Sequence, residues 1–411
     1  MANTKGPATE RRPYIGGQAV IEGVMMRSPR SFAIAVRRRS GALSVRERPM
    51  FDSRKGVLAW PFVRGVAALV EALRLGSQAL RFSSELYERD LEEAEEKEKA
   101  AATKAKAPGV MNTLASWMVA IATLDDDPVA KPKAQQRSAG SGALTWISLI
   151  AAMAIFVALP QATAYGASRI LHITPDIRSF GFQALTGLFK LCIVVGYMAA
   201  IRKIPEIHRV FQFHGAEHKT IATWEAEQEL TVDNARGKSR LHPRCGTAFL
   251  VLVVLVSVLV FTAIGPLLPQ LPVGGAALEN VLFFLMKLPF LPVIAAITFE
   301  LQRLSARYCL TGPLRVFLYP GFAVQLITTI EPDDSQLEVA LASLRATLWR
   351  ENAEQAPAEP ADQQFASYAE LVASPGYAPT PAISPTKLSW MSAPVSASPM
   401  IQSRPASAPS M

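Results

Sequence analysis

The chain has 411 residues, of which half are apolar and only 18% are charged, and its formal net charge is +8. The charged fraction is below the roughly 25% of an average soluble domain, and the charges leave long neutral stretches, which argues against an ordinary soluble protein. Its three cysteines, Cys192, Cys245 and Cys309, are far apart, which argues against a disulfide framework and fits a reducing compartment. The first forty residues contain no long apolar run, so we predict no cleavable signal peptide.

The N-terminal region, residues 1–55, is predicted to be a basic arm followed by a small β-hairpin. Apolar and polar residues alternate over residues 31–48 on both sides of Arg39-Ser40-Gly41, which is typical of a hairpin with glycine in its turn. Residues 56–87 carry apolar residues at helical spacing with arginines among them, which predicts an amphipathic helix. The pattern leaves open whether this helix lies at the membrane interface or against the protein's own helices. The composition of residues 88–140 predicts a flexible charged linker.

Four stretches are long and apolar enough to cross a bilayer, because a spanning helix needs about 20 mostly apolar residues. They are residues 143–165, 181–201, 246–268 and 281–301. The fourth contains Lys287, Pro289, Pro292 and Glu300, so we expect it to be kinked and to turn its polar residues toward other helices or water. The sequence therefore predicts a mainly α, polytopic membrane protein whose membrane domain covers residues 141–330.

The distribution of lysine and arginine predicts the orientation of these spans. The loop 202–245 holds eight such residues, whereas 166–180 holds two and 269–280 holds none. The eight are Arg202, Lys203, Arg209, Lys219, Arg236, Lys238, Arg240 and Arg244. Because basic loops stay in the cytoplasm, this loop is expected there, and an even number of crossings places both termini in the cytoplasm as well.

The segments after the fourth span have different compositions. Residues 312–330 are too short and too interrupted by proline and glycine for a secure fifth span, and an interfacial or re-entrant segment remains open. Residues 331–352 predict a soluble C-terminal helix. The Pro/Ala/Ser-rich tail, residues 353–411, is predicted to be disordered.

One short cluster in the basic loop carries the residues most suited to chemistry, His214-Gly-Ala-Glu217-His218. If this segment is helical, a separation of four residues places both imidazoles on one face, one turn apart, where they can reach one Zn²⁺ ion. Glu217 flanks that face and can act as a general base beside a zinc-activated water. The order H-x-x-E-H is that of the inverzincin metallopeptidases.

A zinc site needs a third protein ligand, and the sequence offers two good candidates. His242 and Cys245 both lie just before the third span, in His242-Pro-Arg244-Cys245. Cys245 is expected at a helix N-terminus, where the helix dipole favours the thiolate. Glu22 and Glu300 are more distant possibilities.

A second interpretation treats the histidines as packed, hydrogen-bonded core residues. The protein is then a non-enzymatic membrane scaffold or small transporter with a structural His cluster. The polar residues of the kinked fourth span favour this interpretation. In either case the expected partner is the lipid bilayer. Nucleic acid is not expected, because no aromatic residues are interleaved with the basic stretches.

Five distinctive sequence motifs occur along the chain. They are GGQAVIEGVMMRSP (16–29), FQFHGAEHKTI (211–221), HPRCGTAFL (242–250), PxxAxITFE (292–300) and PGFAVQLITTIEPDDSQLEVA (320–340). In these motifs and in their order, the chain resembles the YqhQ-like family of bacterial integral membrane proteins of unknown function. The resemblance implies the bacterial inner membrane as location, a metal-dependent enzyme as activity, and no particular substrate.

The family pattern carries over to seven positions of this chain. They are Glu22, His214, Glu217, His218, His242, Arg244 and Cys245. The long charged linker and the Pro-rich tail depart from the family pattern, so they are expected to be additions outside the common core.

Overall fold

Tight turns between short apolar runs fold the N-terminal region into an antiparallel sheet. The computed structural model describes residues 13–50, 56–101, 147, 150–151, 154–170, 179–269, 276–310, 312–352 and 361–377. Five strands lie in the order β1-β2-β3-β4-β5, each antiparallel to its neighbour. They are β1 (Gly16–Val20), β2 (Gly23–Arg27), β3 (Ser31–Arg37), β4 (Leu43–Pro49) and β5 (Ala361–Phe365).

The predicted hairpin is confirmed as the β3–β4 pair, in which Arg37 lies opposite Leu43. Gly41 in its turn has φ +89°, a conformation that glycine adopts without the steric cost of a Cβ atom. The sheet is larger than a hairpin, however. Strands β1 and β2 come from the preceding segment, and β5 comes from the region predicted as a disordered tail.

The described part of the chain is mainly helical, as predicted. Eleven α-helices are described: α1 (Val63–Ala101), α2 (Leu159–Ile170), α3 (Phe180–Ile201), α4 (Pro205–Glu225), α5 (Val232–Arg236), α6 (Gly246–Ile264), α7 (Ala276–Lys287), α8 (Leu291–Tyr308), α9 (Tyr319–Thr328), α10 (Asp334–Asn352) and α11 (Tyr368–Ala373). A π-helical turn, Ala154–Ala158, leads into α2.

Three helical segments among the described residues are long and apolar enough to cross a membrane: Phe180–Ile201, Gly246–Ile264 and Leu285–Tyr308. They correspond to the second, third and fourth predicted spans. The first predicted span, 143–165, lies partly outside the described residues, so the number of four stays a prediction. In the segment predicted as the fourth span, which was expected to be kinked, a 3₁₀ turn at Leu288–Phe290 separates α7 from α8. This turn contains Pro289, which has no N–H to donate.

Both faces of the sheet are covered, because side chains of successive strand residues point to opposite sides. On one side, Val24, Ala33 and Val45 pack with residues of α4 and α10, such as Phe213 and Leu337. On the other side, Met25, Phe32 and Ile34 pack with Leu75, Ala79, Phe82 and Leu86 of α1. The predicted C-terminal helix is therefore found at α10, where it is a core element of the protein.

Two regions differ from their predicted character. Helix α1 continues to Ala101, so residues 88–101 are helical instead of being part of a flexible linker. Residues 361–377 form β5 and α11 instead of a disordered stretch, because Phe365, Leu371 and Tyr377 are buried in the core beside β4. These three apolar residues are too few to be recognised as a structured segment within a composition dominated by Pro, Ala and Ser. Residues 102–140, 353–360 and 378–411 of the predicted linker and tail lie outside the described residues.

Helix α4 and the segment after α9 approach each other closely at Gly215. The Ile330 amide donates a hydrogen bond of 2.9 Å to the Phe211 carbonyl, and a Cβ atom at Gly215 would lie 2.1 Å from the Ile330 oxygen. Gly215→Ala is therefore expected to lower the free energy of unfolding by about 1–3 kcal/mol, the range typical of overpacking. Denaturant unfolding of the purified protein measures this loss.

Gly246→Ala is the matched control, since a Cβ there meets nothing within 4 Å. It should leave the unfolding free energy unchanged or slightly raised. Equal stability of the two variants would show that the approach at Gly215 relaxes without cost.

Candidate metal centre

Helix α4 carries the two histidines of the H-x-x-E-H motif. Pro205 occupies its first turn, where the missing N–H costs no helical hydrogen bond, and the helix continues unbroken to Glu225. His214 and His218 thus lie one turn apart on the same face, with their ring centroids 4.5 Å apart. The helical spacing that the metal prediction requires is present.

The third member of the group comes from the start of α6. Cys245 is the N-cap of this helix, and its Sγ accepts a hydrogen bond of 3.4 Å from the Thr247 amide. The same Sγ lies 3.3 Å from His214 Nε2. The ligand atoms of His214, His218 and Cys245 all lie within 4.8 Å of one another.

Backbone carbonyls hold both rings in the same tautomer. His214 Nδ1 lies 2.9 Å from the Thr328 carbonyl oxygen, and His218 Nδ1 lies 2.5 Å from that of Arg240. Because a carbonyl oxygen only accepts, each Nδ1 must carry the proton, and each Nε2 keeps its lone pair. This is the second-shell arrangement that orients metal-binding histidines.

The electrostatics of the group favour the forms that bind metal. Burial lowers the pKa of His218 and so keeps its imidazole neutral. Burial alone would raise the pKa of Cys245, but the proximity of His218 and the hydrogen bonds with Thr247 more than offset this, and the thiol pKa is lowered. Neutral imidazole and thiolate are the states in which these side chains coordinate a metal.

Glu217 lies beside this group on the face of α4 that packs against β1. It is 5% exposed, and a Cβ atom added to Gly17 would lie 2.8 Å from its Cγ. Its Oε2 has no hydrogen-bond partner among the described residues. Burial raises the pKa of Glu217 to about 8, and its charge interacts with His214 and Cys245. The carboxyl group can therefore hold a proton near neutral pH.

His242, the alternative third ligand, makes other contacts. Its Nδ1 accepts a hydrogen bond of 3.4 Å from the Arg244 amide, and its Nε2 lies 3.2 Å from Glu225 Oε2. Burial lowers its pKa to about 4. Arg244 also pairs with Glu225 and lies 4.7 Å over the ring of Tyr14. Both ring nitrogens of His242 therefore contact Glu225 or the Arg244 amide, and His242 lies next to the His–His–Cys group without joining it.

The two more distant carboxylates are each paired with an arginine. Glu22, in the β1–β2 turn, binds Arg209 through hydrogen bonds of 2.6 and 2.5 Å. Glu300, on α8, binds Arg64 of α1 at the same two distances. In the structure they tie neighbouring elements together and do not join the His–His–Cys group.

The residues that support the group were not singled out in the sequence. Thr328 and Arg240 contribute through their backbone carbonyls, which carry no side-chain signature. Gln302 Nε2 donates a hydrogen bond of 2.9 Å to the Cys245 carbonyl. The sequence held one indication of these supporting residues: Gln325, Thr328 and Thr329 are polar residues in the mainly apolar segment 312–330.

Two nitrogens and one sulfur form a donor set that suits Zn²⁺. Ligand atoms of a tetrahedral zinc lie about 3.3–3.8 Å apart, as bond lengths of about 2.0–2.3 Å require. The Cys245–His214 distance of 3.3 Å is already in this range, and the His218 ligand atom lies within 4.8 Å of both. The residues present therefore fit a zinc ion with one coordination position left open.

The described residues define a mainly helical protein that combines a five-stranded sheet, membrane-length apolar helices and a buried His–His–Cys group. The chain belongs to the family described as "Protein of unknown function (DUF1385)", which it matches over residues 60–350. It is 32% identical over 340 residues to "Uncharacterized protein YqhQ" of Bacillus subtilis (strain 168), a match that covers 82% of this chain and 92% of that protein. The resemblance to the YqhQ-like family is thereby confirmed. No solved structure matches the chain.

Proposed function

We propose that this protein is a zinc-dependent hydrolase of the bacterial inner membrane, with its site on the cytoplasmic side. The observation that carries the proposal is the convergence of His214, His218 and Cys245, whose ligand atoms lie within 4.8 Å of one another. The three come from α4 and from the N-cap of α6, and each histidine is fixed by a backbone carbonyl. Three protein ligands with an open fourth position are typical of catalytic zinc, whereas structural sites have four.

A bound zinc ion would supply Lewis acidity and would lower the pKa of a coordinated water toward neutrality. The other steps belong to the chain. His214 and His218 would hold the ion through Nε2, while each Nδ1 keeps its proton and donates it in a hydrogen bond to the carbonyl of Thr328 or Arg240. Burial raises the pKa of Glu217 to about 8, and a cation bound beside it would lower that pKa and favour the ionised carboxylate. In that form Glu217 would accept a proton from the water and pass it to the leaving group.

Two measurements on the purified protein test the proposal together. The wild type should contain one zinc ion per chain and should hydrolyse one class within a panel of ester, amide and phosphoester substrates. Glu217→Gln should keep the zinc and lose hydrolysis by about 10²–10⁴-fold, the usual contribution of a general base. Glu206→Gln, in the first turn of the same helix, is the matched control and should change neither.

Protein that holds no zinc would support the other interpretation, a structural His cluster in a non-enzymatic scaffold or small transporter. Protein that holds zinc but hydrolyses nothing, with Glu217→Gln indistinguishable from wild type, would leave a metal site without the proposed catalysis.

The membrane orientation gives a separate prediction. If the basic loop 202–245 is cytoplasmic, the exposed Ser239 lies on the cytoplasmic side, and the exposed Leu267, at the far end of α6, lies on the opposite side. A membrane-impermeant maleimide added to intact cells should therefore label Leu267→Cys and not Ser239→Cys. Opening the membrane should make Ser239→Cys reactive too.

The parent chain, with its cysteines in place, gives the background for this labelling. Labelling of Ser239→Cys alone in intact cells would mean that the orientation is inverted.

A further inference from the structure

The side chain of Gln325 holds the backbone from which Cys245 projects. Gln325 lies on α9 and is 0% exposed. Its Oε1 accepts a hydrogen bond of 2.8 Å from the His242 amide, and its Nε2 donates one of 2.9 Å to the His242 carbonyl. Two hydrogen bonds from one planar amide fix both the position and the orientation of residue 242.

This clamp reaches Cys245 through a tight turn. The His242 carbonyl also accepts a hydrogen bond of 3.3 Å from the Cys245 amide, which closes the turn that leads into α6. Residue 242 is therefore the fixed point from which the turn places the N-cap of the helix. Without Gln325, the His242 carbonyl would keep its turn bond but would lose its connection to α9.

The same end of α9 also supports both histidines. The Thr328 carbonyl accepts from His214 Nδ1, and the Thr329 carbonyl accepts a hydrogen bond of 2.9 Å from Arg240 Nη1. The Arg240 carbonyl in turn accepts from His218 Nδ1. All three members of the group are thus connected to residues 325–329 at the C-terminal end of α9, although α9 itself supplies no ligand atom.

We propose that Gln325 is a positioning residue for the metal group: it fixes the turn 242–245 so that the Cys245 thiolate faces the two imidazoles. The assignment rests on the proposed metal site. Loss of a second-shell residue typically weakens metal binding by about 10–100-fold, which sets the size of the expected effect.

The experiment compares two equally buried glutamines. Gln336, on α10, is also 0% exposed, and its side chain is bonded at both ends, to the Asp333 amide and to Gln212. Methionine matches glutamine in length but makes neither hydrogen bond. Gln325→Met should weaken zinc binding by about 10–100-fold in competition with a chromophoric chelator. Gln336→Met should bind zinc like the wild type even if it lowers thermal stability as much.

A second readout needs no metal. In the zinc-free protein, the alkylation rate of Cys245, followed by mass spectrometry of its peptide, should rise several-fold in Gln325→Met and stay at the wild-type value in Gln336→Met. Gln325→Glu keeps an acceptor for the His242 amide and, when protonated, a donor for the His242 carbonyl. Its zinc affinity and its Cys245 alkylation rate should therefore lie close to the wild-type values. It also provides a folded variant if Gln325→Met does not fold.

The two readouts separate the possible failures. A wild type without zinc overturns the proposed function, and the alkylation rates then still show whether Gln325 positions Cys245. If Gln325→Met leaves zinc affinity and alkylation unchanged, or if Gln336→Met changes them equally, the positioning role is wrong.

Discussion

Replacement of both His214 and His218 by alanine is expected to abolish stoichiometric zinc binding, and each single replacement should weaken it by more than about 100-fold. Two of the three converging ligand atoms are lost in the double variant. Loss of a second-shell partner alone typically costs about 10–100-fold, so loss of a ligand should cost more. Metal analysis after purification, followed by chelator competition, measures both effects.

The identity of the third ligand is resolved by replacing zinc with Co²⁺, which has visible absorption. A thiolate ligand gives cobalt an intense charge-transfer band, and Cys245→Ser should remove that band. His242→Ala should keep it, because the His242 ring nitrogens are engaged by Glu225 and the Arg244 amide. The opposite pattern would make His242 the ligand and would require the turn before α6 to rearrange.

His208→Ala is the matched control for these variants, because His208 lies on the same helix but outside the converging group. It should keep full zinc content and the cobalt spectrum. Loss of zinc in this variant would show that the other losses reflect general damage to α4 and not removed ligands.

The candidate site was predictable from sequence as far as local spacing reaches. The four-residue separation of His214 and His218 needs only a helix, and the position of Cys245 at a helix start follows from the apolar run behind it. The choice between Cys245 and His242 was not predictable, because it depends on Glu225 and Arg244 engaging one ring. The supporting carbonyl of Thr328 could likewise not be predicted, because Thr328 lies 114 residues from His214 along the chain.

The fold shows the same division between local and distant information. The β3–β4 hairpin and the apolar helices follow from patterns within a few residues. Strand β5 does not, because residues 361–365 become a strand only by pairing with β4, more than 300 residues earlier in the chain. Burial of both sheet faces also weakens the alternation of apolar and polar residues that identifies a half-exposed strand.

One buried pair in this core gives a second large prediction. Glu47 on β4 and Arg350 on α10 have side chains that are 0% and 2% exposed, with Oε2 and Nε 3.4 Å apart. This is longer than the about 2.7–2.9 Å of a charge-assisted hydrogen bond. Burial raises the pKa of Glu47 to about 7, although Arg350 acts in the opposite direction. Desolvation of the carboxylate therefore outweighs its attraction to the arginine.

The sign of the pH dependence follows from this pKa. The folded-state pKa, about 7, lies above the ordinary value of 4.5, so the contribution of Glu47 to stability is fully present below pH 4.5. It falls as the pH rises through 7. Glu47→Gln resembles the protonated side chain at every pH, so it should match the wild type near pH 5 and exceed it near pH 8. The expected gain is on the order of 3 kcal/mol, at about 1.4 kcal/mol for each pKa unit.

Unfolding of the solubilised protein at the two pH values measures the difference. Glu338→Gln is the matched control, because Glu338 also pairs with an arginine, Arg37, but is partly exposed. Exposed pairs contribute about 0–1 kcal/mol, so this variant should show only a small change and no gain at high pH. If Glu47→Gln is instead less stable than the wild type at pH 8, the ionised pair stabilises the fold, because its mutual attraction then exceeds the cost of burying two charges between β4 and α10.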